Sequence, residues 1–160
     1  MALELLKDHL KEGDTALDVG SGSGYLTVCM ALMVGSKGKV VGIDHIRGLV
    51  DLSLENINKH HGELVTSGRV VIVEGDGRLG YKALAPYKAI HVGAASPQIP
   101  DALLEQLAPG GRMIIPIGTA LSDQQCVQVD KDLDNTVKVK ELFGVLFVPL
   151  TDKRYQLGQR

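Results

Sequence analysis

The sequence has few of the features that mark secreted, membrane or nucleic-acid-binding proteins. It has two cysteines, Cys29 and Cys126, far apart inside apolar segments, and both are expected to be free thiols in a reducing compartment. No apolar run approaches the length of a membrane span, and Glu4 and Asp8 near the start argue against a secretory signal. The net charge is −2 without a long basic cluster, which argues against nucleic acid as a partner. The composition therefore predicts a cytoplasmic globular protein.

The arrangement of apolar residues predicts an α/β fold. At 160 residues and 44% hydrophobic content, the chain is expected to form one domain over residues 1–160. Short apolar runs at 16–19, 40–43, 70–73, 89–92 and 112–117 predict strands, and helical periodicity lies between most of them. This alternation predicts a parallel sheet with helices on both faces. The later segments 125–129 and 136–141 alternate, which predicts a terminal hairpin with an antiparallel strand at the sheet edge.

A glycine-rich turn follows the first predicted strand, in the stretch Leu17-Asp-Val-Gly-Ser-Gly-Ser-Gly24. Alternating glycines let a ligand lie against bare backbone and allow a positive φ in a tight turn. The dinucleotide fingerprint G-x-G-x-x-G needs a third glycine where this chain has Tyr25. The spacing therefore favours a nucleoside ligand without a pyrophosphate, and S-adenosylmethionine is the cofactor candidate. A turn with a purely structural role is the alternative.

Carboxylates lie at the ends of the first three predicted strands, at the edge where an open parallel sheet binds its ligands. Asp44 is predicted to accept hydrogen bonds from both ribose hydroxyls, with capping of the next helix as the alternative. Asp76 is predicted to accept from the adenine amino group while Gly77 lets the ring lie close, with a simple turn as the alternative. Asp18 is expected behind the glycine turn, where it holds loop amides or the ligand's ammonium group, or only braces the loop.

The histidines give weaker signals. His45 is predicted to line the adenosine pocket or else to face solvent, whereas His91, inside an apolar strand, is interpreted as a hydrogen-bonded core residue. No pair of histidines and no C-x-x-C has metal-ligand spacing, so no metal site is predicted. No catalytic residue is assigned. The predicted cofactor site comprises Asp18, Gly20, Ser21, Gly22, Gly24, Asp44, His45, Asp76 and Gly77.

The motifs together resemble the protein-L-isoaspartate (D-aspartate) O-methyltransferase family. The matching segments run along the whole chain: Ala2-Leu-Glu-Leu-Leu6, Ala16-Leu-Asp-Val-Gly-Ser-Gly-Ser-Gly24, Gly42-Ile-Asp-His45, Gly75-Asp-Gly-Arg78, Ala89-Ile-His-Val-Gly-Ala-Ala95, Pro109-Gly-Gly-Arg112 and Val148-Pro-Leu-Thr-Asp152. The segments that begin at Ala89 and Val148 are far more particular to this family than the glycine turn. The resemblance implies a Rossmann-like class I methyltransferase, with a mostly parallel seven-stranded sheet, an antiparallel edge strand and helices on both faces.

The resemblance also implies an activity. Methyl transfer from S-adenosylmethionine to the free carboxylate of L-isoaspartyl and D-aspartyl residues would serve the repair of damaged proteins. A carboxylate is already ionised and nucleophilic at neutral pH, so such a site mainly needs positioning and desolvation. The implied partners are isoaspartyl-containing peptides and proteins, without nucleic acid or membrane, and a monomer is expected. Residues implied to border the substrate are Val92, Gly93, Ala94, Leu150 and Thr151.

One departure from the family supports an alternative expectation. Family members carry a region before the helix of Ala2-Leu-Glu-Leu-Leu6, with an Ile-Ser-Ala-Pro-His-like segment whose serine or threonine helps to hold the substrate carboxylate. No such segment occurs among the 160 residues. A catalytically impaired S-adenosylmethionine-binding or interaction module is therefore the alternative. A nicotinamide-dependent oxidoreductase is a third hypothesis, and Tyr25 in place of the third glycine argues against it.

Overall fold

The computed structural model describes residues 2–119, 123–145, 147–151 and 157. Its strands are β1 (Thr15–Val19), β2 (Lys39–Asp44), β3 (Val70–Glu74), β4 (Tyr87–Val92), β5 (Leu107–Ile117), β6 (Gln124–Lys131) and β7 (Val137–Val145). Its α-helices are α1 (Ala2–Leu6), α2 (Tyr25–Val34), α3 (Arg47–Thr66) and α4 (Asp101–Gln106). Single 3₁₀ turns lie at Lys7–His9, Gly77–Leu79 and Lys82–Leu84. None of the described helices is both long enough and apolar enough to cross a membrane.

The seven strands form one sheet in the order β3-β2-β1-β4-β5-β6-β7. The first five pair in parallel, because each helical crossover returns the chain to the same end of the sheet. β6 is antiparallel to both β5 and β7, which forms the terminal hairpin at one edge. The predicted mostly parallel sheet with antiparallel pairing at its edge is confirmed.

Helix ends differ most from the sequence-based expectation. The helical spacing of Leu3, Leu6 and Leu10 predicts one helix that Gly13 ends, but α1 ends at Leu6 and a 3₁₀ turn follows. Helix α3 continues past its expected end near Gly62 as far as Thr66, across a kink at His61 with φ −137° and ψ 35°. This extra turn buries Leu64 completely, so packing outweighs the weak local stop signal.

The core occupies both faces of the sheet, because the parallel strands are covered on each side. Side chains of β1 alternate between the two faces: Ala16 packs with Met30 of α2, whereas Leu17 and Val19 pack on the side of Leu103 in α4. With both faces covered, the ends of the strands are where the sheet remains open to a ligand.

Candidate functional site

A cleft of about 160 Å³ opens at the carboxyl ends of the central strands. The strand order reverses between β1 and β4, and in open α/β sheets such a switch point is where ligands bind. Seven of the residues that the sequence predicts for the site line this cleft: Gly20, Asp44, His45, Gly77, Gly93, Ala94 and Leu150. Residues from separate parts of the chain therefore line one cleft.

The glycine turn forms one side of the cleft and is anchored to the end of β2. The amides of Gly20 and Ser21 donate to the carbonyl oxygen of Ile43 at 2.8 and 3.1 Å. Gly20 has a φ of 84°, which a residue with a side chain rarely adopts. A Cβ on Gly20 would lie 4.0 Å from the Cα of Gly93, which follows the neighbouring strand β4. At the ends of β1 and β4 the cleft is therefore lined by bare backbone.

Other residues of the turn serve the fold around the cleft. Ser21 is buried, and its hydroxyl lies 3.3 Å from that of Ser53 in α3. Gly24 has a φ of 86°, and a Cβ there would lie 3.2 Å from the carbonyl oxygen of Ser53. Gly24 thus lets α2 pack closely on α3. It lines a separate groove between these helices with Tyr25 and His60, beside the cleft and not inside it.

Asp44 lies in the cleft with its carboxylate held in place. One oxygen accepts from the amide of Gly22 at 3.3 Å and the other from the amide of Ile46 at 3.2 Å. Asp44 is 7% exposed and lines the cleft. An ionised carboxylate offers about four acceptor positions, so these two bonds leave capacity for a pair of hydroxyls. The arrangement suits the predicted ribose contact, and the bond to Ile46 also matches the alternative of capping the helix start.

Asp76 is engaged with a neighbouring arginine, and Gly77 faces the cleft. The Arg78 side chain donates to Asp76 through Nε at 3.0 Å and Nη2 at 2.7 Å. These hydrogen bonds hold the pKa of the Asp76 carboxyl below its usual value. Gly77 is buried, and a Cβ there would overlap the side chain of Val19. The adenine contact of Asp76 and the place of Gly77 beside the ring both stay predictions.

Asp18 lies beneath the glycine turn and binds side chains. Its two carboxylate oxygens meet Thr27 Oγ1 at 2.7 Å and His91 Nδ1 at 3.0 Å, and the residue is 1% exposed. These partners favour the bracing role over contact with loop amides. The predicted hydrogen bond of His91 is confirmed, and its side chain is mostly but not fully buried.

The opposite wall of the cleft is the segment from Val148 to Leu150. The Ala95 amide donates to the Val148 carbonyl at 2.8 Å, and the Leu150 amide donates to the Ala95 carbonyl at 2.6 Å. Val92, predicted at the substrate, is buried in the core instead of lining the cleft. Thr151 is partly buried just beyond this wall, and Asp152 of the quoted motif lies outside the described residues.

Sequence reasoning missed the apolar part of the site. Ile43, Leu49 and Pro149 line the cleft beside the predicted residues. Ile43 directly precedes Asp44, and its position at a strand end is a signal that could have identified it. Leu49 carries no such signal, because helical spacing marks it only as apolar. Within the described ranges, no group of histidine, cysteine, aspartate and glutamate side chains could hold a metal ion.

Known proteins match the chain along nearly its whole length. The family model described as protein-L-isoaspartate (D-aspartate) O-methyltransferase matches residues 1–155. A Caenorhabditis elegans protein-L-isoaspartate O-methyltransferase is 54% identical over 97% of this chain, which spans 68% of that relative. The Arabidopsis thaliana protein-L-isoaspartate O-methyltransferase 2 is 52% identical over 98% of this chain, which spans 50% of that longer relative.

Solved structures agree with these sequence matches. A Plasmodium falciparum protein-L-isoaspartate O-methyltransferase with S-adenosyl-L-homocysteine superposes with a TM-score of 0.86 and 35% identity, covering 95% of this chain and 72% of that one. A Thermotoga maritima S-adenosylmethionine-dependent O-methyltransferase superposes with a TM-score of 0.58 and 28% identity, covering 72% of this chain and 43% of that one. Fold and site together define a class I methyltransferase that uses S-adenosylmethionine. More particularly, the chain belongs to the protein-L-isoaspartate (D-aspartate) O-methyltransferase family.

Proposed function

We propose that this protein methylates the free carboxylate of L-isoaspartyl and D-aspartyl residues in damaged proteins, and so serves protein repair. The observation that carries the proposal is the glycine-walled cleft at the switch point, with Asp44 on one side and Val148 to Leu150 on the other. It occurs in a chain that matches the family over residues 1–155.

The residues of the cleft suit S-adenosylmethionine. Gly20 lines the cleft with bare backbone, and Gly77 adds a second position without a side chain. Asp44 would hold the ribose hydroxyls, and Asp76 would accept from the adenine amino group. When bound, S-adenosylmethionine supplies a methyl group on a positively charged sulfur.

The protein's task toward the substrate is to orient a carboxylate and to exclude water from it. An aspartyl-type carboxylate is ionised at neutral pH, so no side chain is required to remove a proton. Ala94 and Leu150 give the cleft apolar surface on the substrate side. Such surface would exclude water from a carboxylate, and the hydrogen bonds of Ala95 to Val148 and Leu150 fix the wall that would orient it.

The same proposal covers the setting of the reaction. Its partners are isoaspartyl-containing peptides and proteins, and the protein acts as a monomer in the cytoplasm. The two thiols support this setting, because Cys29 and Cys126 are both free and free thiols persist in reducing compartments.

Transfer of a labelled methyl group to an isoaspartyl peptide tests the proposal, with the matching aspartyl peptide as the control. We expect labelling of the isoaspartyl peptide alone. No transfer at saturating S-adenosylmethionine would contradict the proposed activity, and binding of S-adenosylhomocysteine without turnover would support a binding module instead. NAD is expected to leave the melting temperature unchanged where S-adenosylhomocysteine raises it.

A further inference from the structure

Two buried glutamines hold the backbone segments that flank the cleft. Gln106 is 8% exposed and Gln124 is 2% exposed, and neither lines the cleft itself. In each case the side-chain amide accepts one hydrogen bond from a loop and donates another to it. A side-chain amide offers the same donor and acceptor as a backbone peptide. Each glutamine therefore pairs with a loop much as a neighbouring strand would.

Gln106 ends α4 and holds the loop that follows Gly77. Its Oε1 accepts from the Tyr81 amide at 2.9 Å, and its Nε2 donates to the Leu79 carbonyl at 2.9 Å. Gly80 lies between these two residues with a φ of 62°, and a Cβ there would overlap the glutamine amide. The loop is therefore shaped to receive this one side chain.

The buried Tyr87 supports the same loop, since its hydroxyl donates to the Tyr81 carbonyl. Two elements beneath the loop thus fix its backbone. Because the loop begins at Gly77 in the cleft wall, its position sets how closely a ring can lie against that wall.

Gln124 begins β6 and holds the segment on the opposite side. Its Oε1 accepts from the Phe147 amide at 2.6 Å, and its Nε2 donates to the Phe147 carbonyl at 3.0 Å. Val148 follows Phe147 directly, and its carbonyl accepts a hydrogen bond from the Ala95 amide. Gln124 therefore holds the chain at the residue just before the wall of Val148 to Leu150 begins. A second bond from Nε2, to the Thr119 carbonyl at 3.3 Å, ties the glutamine to the chain after β5.

We infer that Gln106 and Gln124 are positioning residues with separate tasks. Gln106 places the cofactor wall through Gly77, and Gln124 places the substrate wall through Val148 and Leu150. Loss of the Gln106 amide leaves two partly buried backbone groups without this partner, and loss of the Gln124 amide leaves three. The loop then moves to satisfy them. Small displacements of groups that orient a reactant have large effects on its binding and reaction. The substrate half of this inference rests on the proposed function.

The test replaces each glutamine by leucine, which is similar in size and has no amide. We expect Gln106→Leu to raise the Kd of S-adenosylhomocysteine about tenfold, with the peptide KM changed by less than about twofold. We expect Gln124→Leu to raise the KM of the isoaspartyl peptide about tenfold at nearly unchanged kcat and S-adenosylhomocysteine Kd. Gln125→Leu, at a partly exposed position of the same strand, is the control and should change neither.

Hydrogen exchange separates this inference from the proposed function, because it needs no turnover. The Tyr81 amide should exchange about tenfold faster in Gln106→Leu, and the Phe147 amide about tenfold faster in Gln124→Leu. If the unaltered protein shows no transfer, the proposed function is contradicted, while the exchange rates and the S-adenosylhomocysteine Kd still decide the role of the glutamines.

Two results would overturn the inference. One is a variant in which the S-adenosylhomocysteine Kd and the peptide KM rise equally, and the other is a variant in which the constant expected to rise stays unchanged. If a leucine variant does not fold, Gln106→Asn and Gln124→Asn take its place, since they keep the amide with a shorter reach. In the asparagine variants, too, the Gln106 change must affect mainly the S-adenosylhomocysteine Kd and the Gln124 change mainly the peptide KM.

Discussion

Asp18 and His91 are direct neighbours across the paired strands β1 and β4, with Asp18 Oδ1 3.0 Å from His91 Nδ1. The other oxygen of Asp18 accepts from Thr27 in α2. One buried carboxylate in β1 therefore links this strand to β4 and to α2, the helix that follows the glycine turn. This link fixes the floor beneath the proposed methyl-donor site.

Replacing His91 by phenylalanine should lower the free energy of unfolding by about 1–3 kcal/mol, because a buried carboxylate oxygen loses its partner. Urea denaturation measures the change. His60→Phe, at an exposed position of α3, is the matched control and should have little effect. Equal stability of His91→Phe and the unaltered protein would show that the contact contributes nothing to the fold.

Asp44→Ala should weaken binding of S-adenosylhomocysteine by about 1–3 kcal/mol, the usual cost when a charged hydrogen-bond acceptor is removed. Isothermal titration calorimetry measures the Kd. Asp51→Ala is the control, because this exposed carboxylate pairs with Arg47 on the surface of α3. If the Kd of Asp44→Ala stays unchanged, Asp44 serves only the glycine turn and the start of α3.

Gly93→Ala separates binding from folding. A Cβ on Gly93 would lie 3.5 Å from the Val19 carbonyl oxygen, an ordinary contact, so the fold should accept it. The added methyl group would enter the cleft, and we expect the KM of the isoaspartyl peptide to rise about tenfold with an unchanged melting temperature. Gly48→Ala, with no atom within 4 Å of the added Cβ, is the control and should keep the KM unchanged. An unaltered KM in Gly93→Ala would exclude this position from the binding surface.

His9 should make the protein less stable as the pH falls from 7 toward 5. Burial, with the positive charge of Arg112 next, lowers the pKa of His9 from its ordinary 6.5. Below about pH 6.5 the unfolded chain therefore takes up a proton that the folded one resists, and the unfolding free energy declines. Chemical denaturation between pH 5 and 8 should show this slope, and His9→Leu should flatten it. A slope that persists in His9→Leu must come from another group.

Arg112 joins α1 to the sheet, and its contribution to the free energy of unfolding should be largest above about pH 4. It donates to the Leu5 carbonyl at 3.0 Å and to Asp130 at 2.7 Å. Burial disfavours the charge of Asp130, but hydrogen bonds from Arg112 and Gln128 outweigh it and lower the pKa. The stability gained from this carboxylate is present at neutral pH and is lost as the pH falls through the lowered pKa.

Arg112→Met should therefore lower the unfolding free energy at pH 7 by about 1–3 kcal/mol. The difference from the unaltered protein should begin to shrink below about pH 4, where Asp130 of the unfolded chain takes up a proton. It should shrink further as the pH falls through the lowered pKa of Asp130 in the folded protein. Denaturation curves at both pH values measure it. Arg47→Met, whose partner Asp51 is exposed, is expected to cost at most about 1 kcal/mol. If Arg112→Met lowers the unfolding free energy equally at pH 7 and pH 3, the effect of Arg112 comes from its hydrogen bond to the Leu5 carbonyl alone.

Local patterns in the sequence determined the strands, the glycine turn and the carboxylates at the strand ends. The turn and Asp44 could be placed because strand, turn and helix follow one another within a few residues, and parallel strands end at one edge. The same reasoning failed at the ends of α1 and α3. There, burial of Leu6 and Leu64 depends on neighbours that are remote in sequence.

Only the tertiary structure decided which of these residues share a surface. Asp18 and His91 are 73 positions apart, and Gln124 and Phe147 are 23 apart, so no local period connects them. The first contact depends on the strand order, which places β4 beside β1. The second depends on the chain after β7, which returns to the cleft and pairs with Ala95. For the same reason Gly24 belongs to the packing of α2 on α3 and Val92 to the core, although both stand in motifs that the sequence assigns to ligands. The sequence by itself predicted where the methyl donor should lie, and the packing of distant segments decided which atoms form the walls of the cleft.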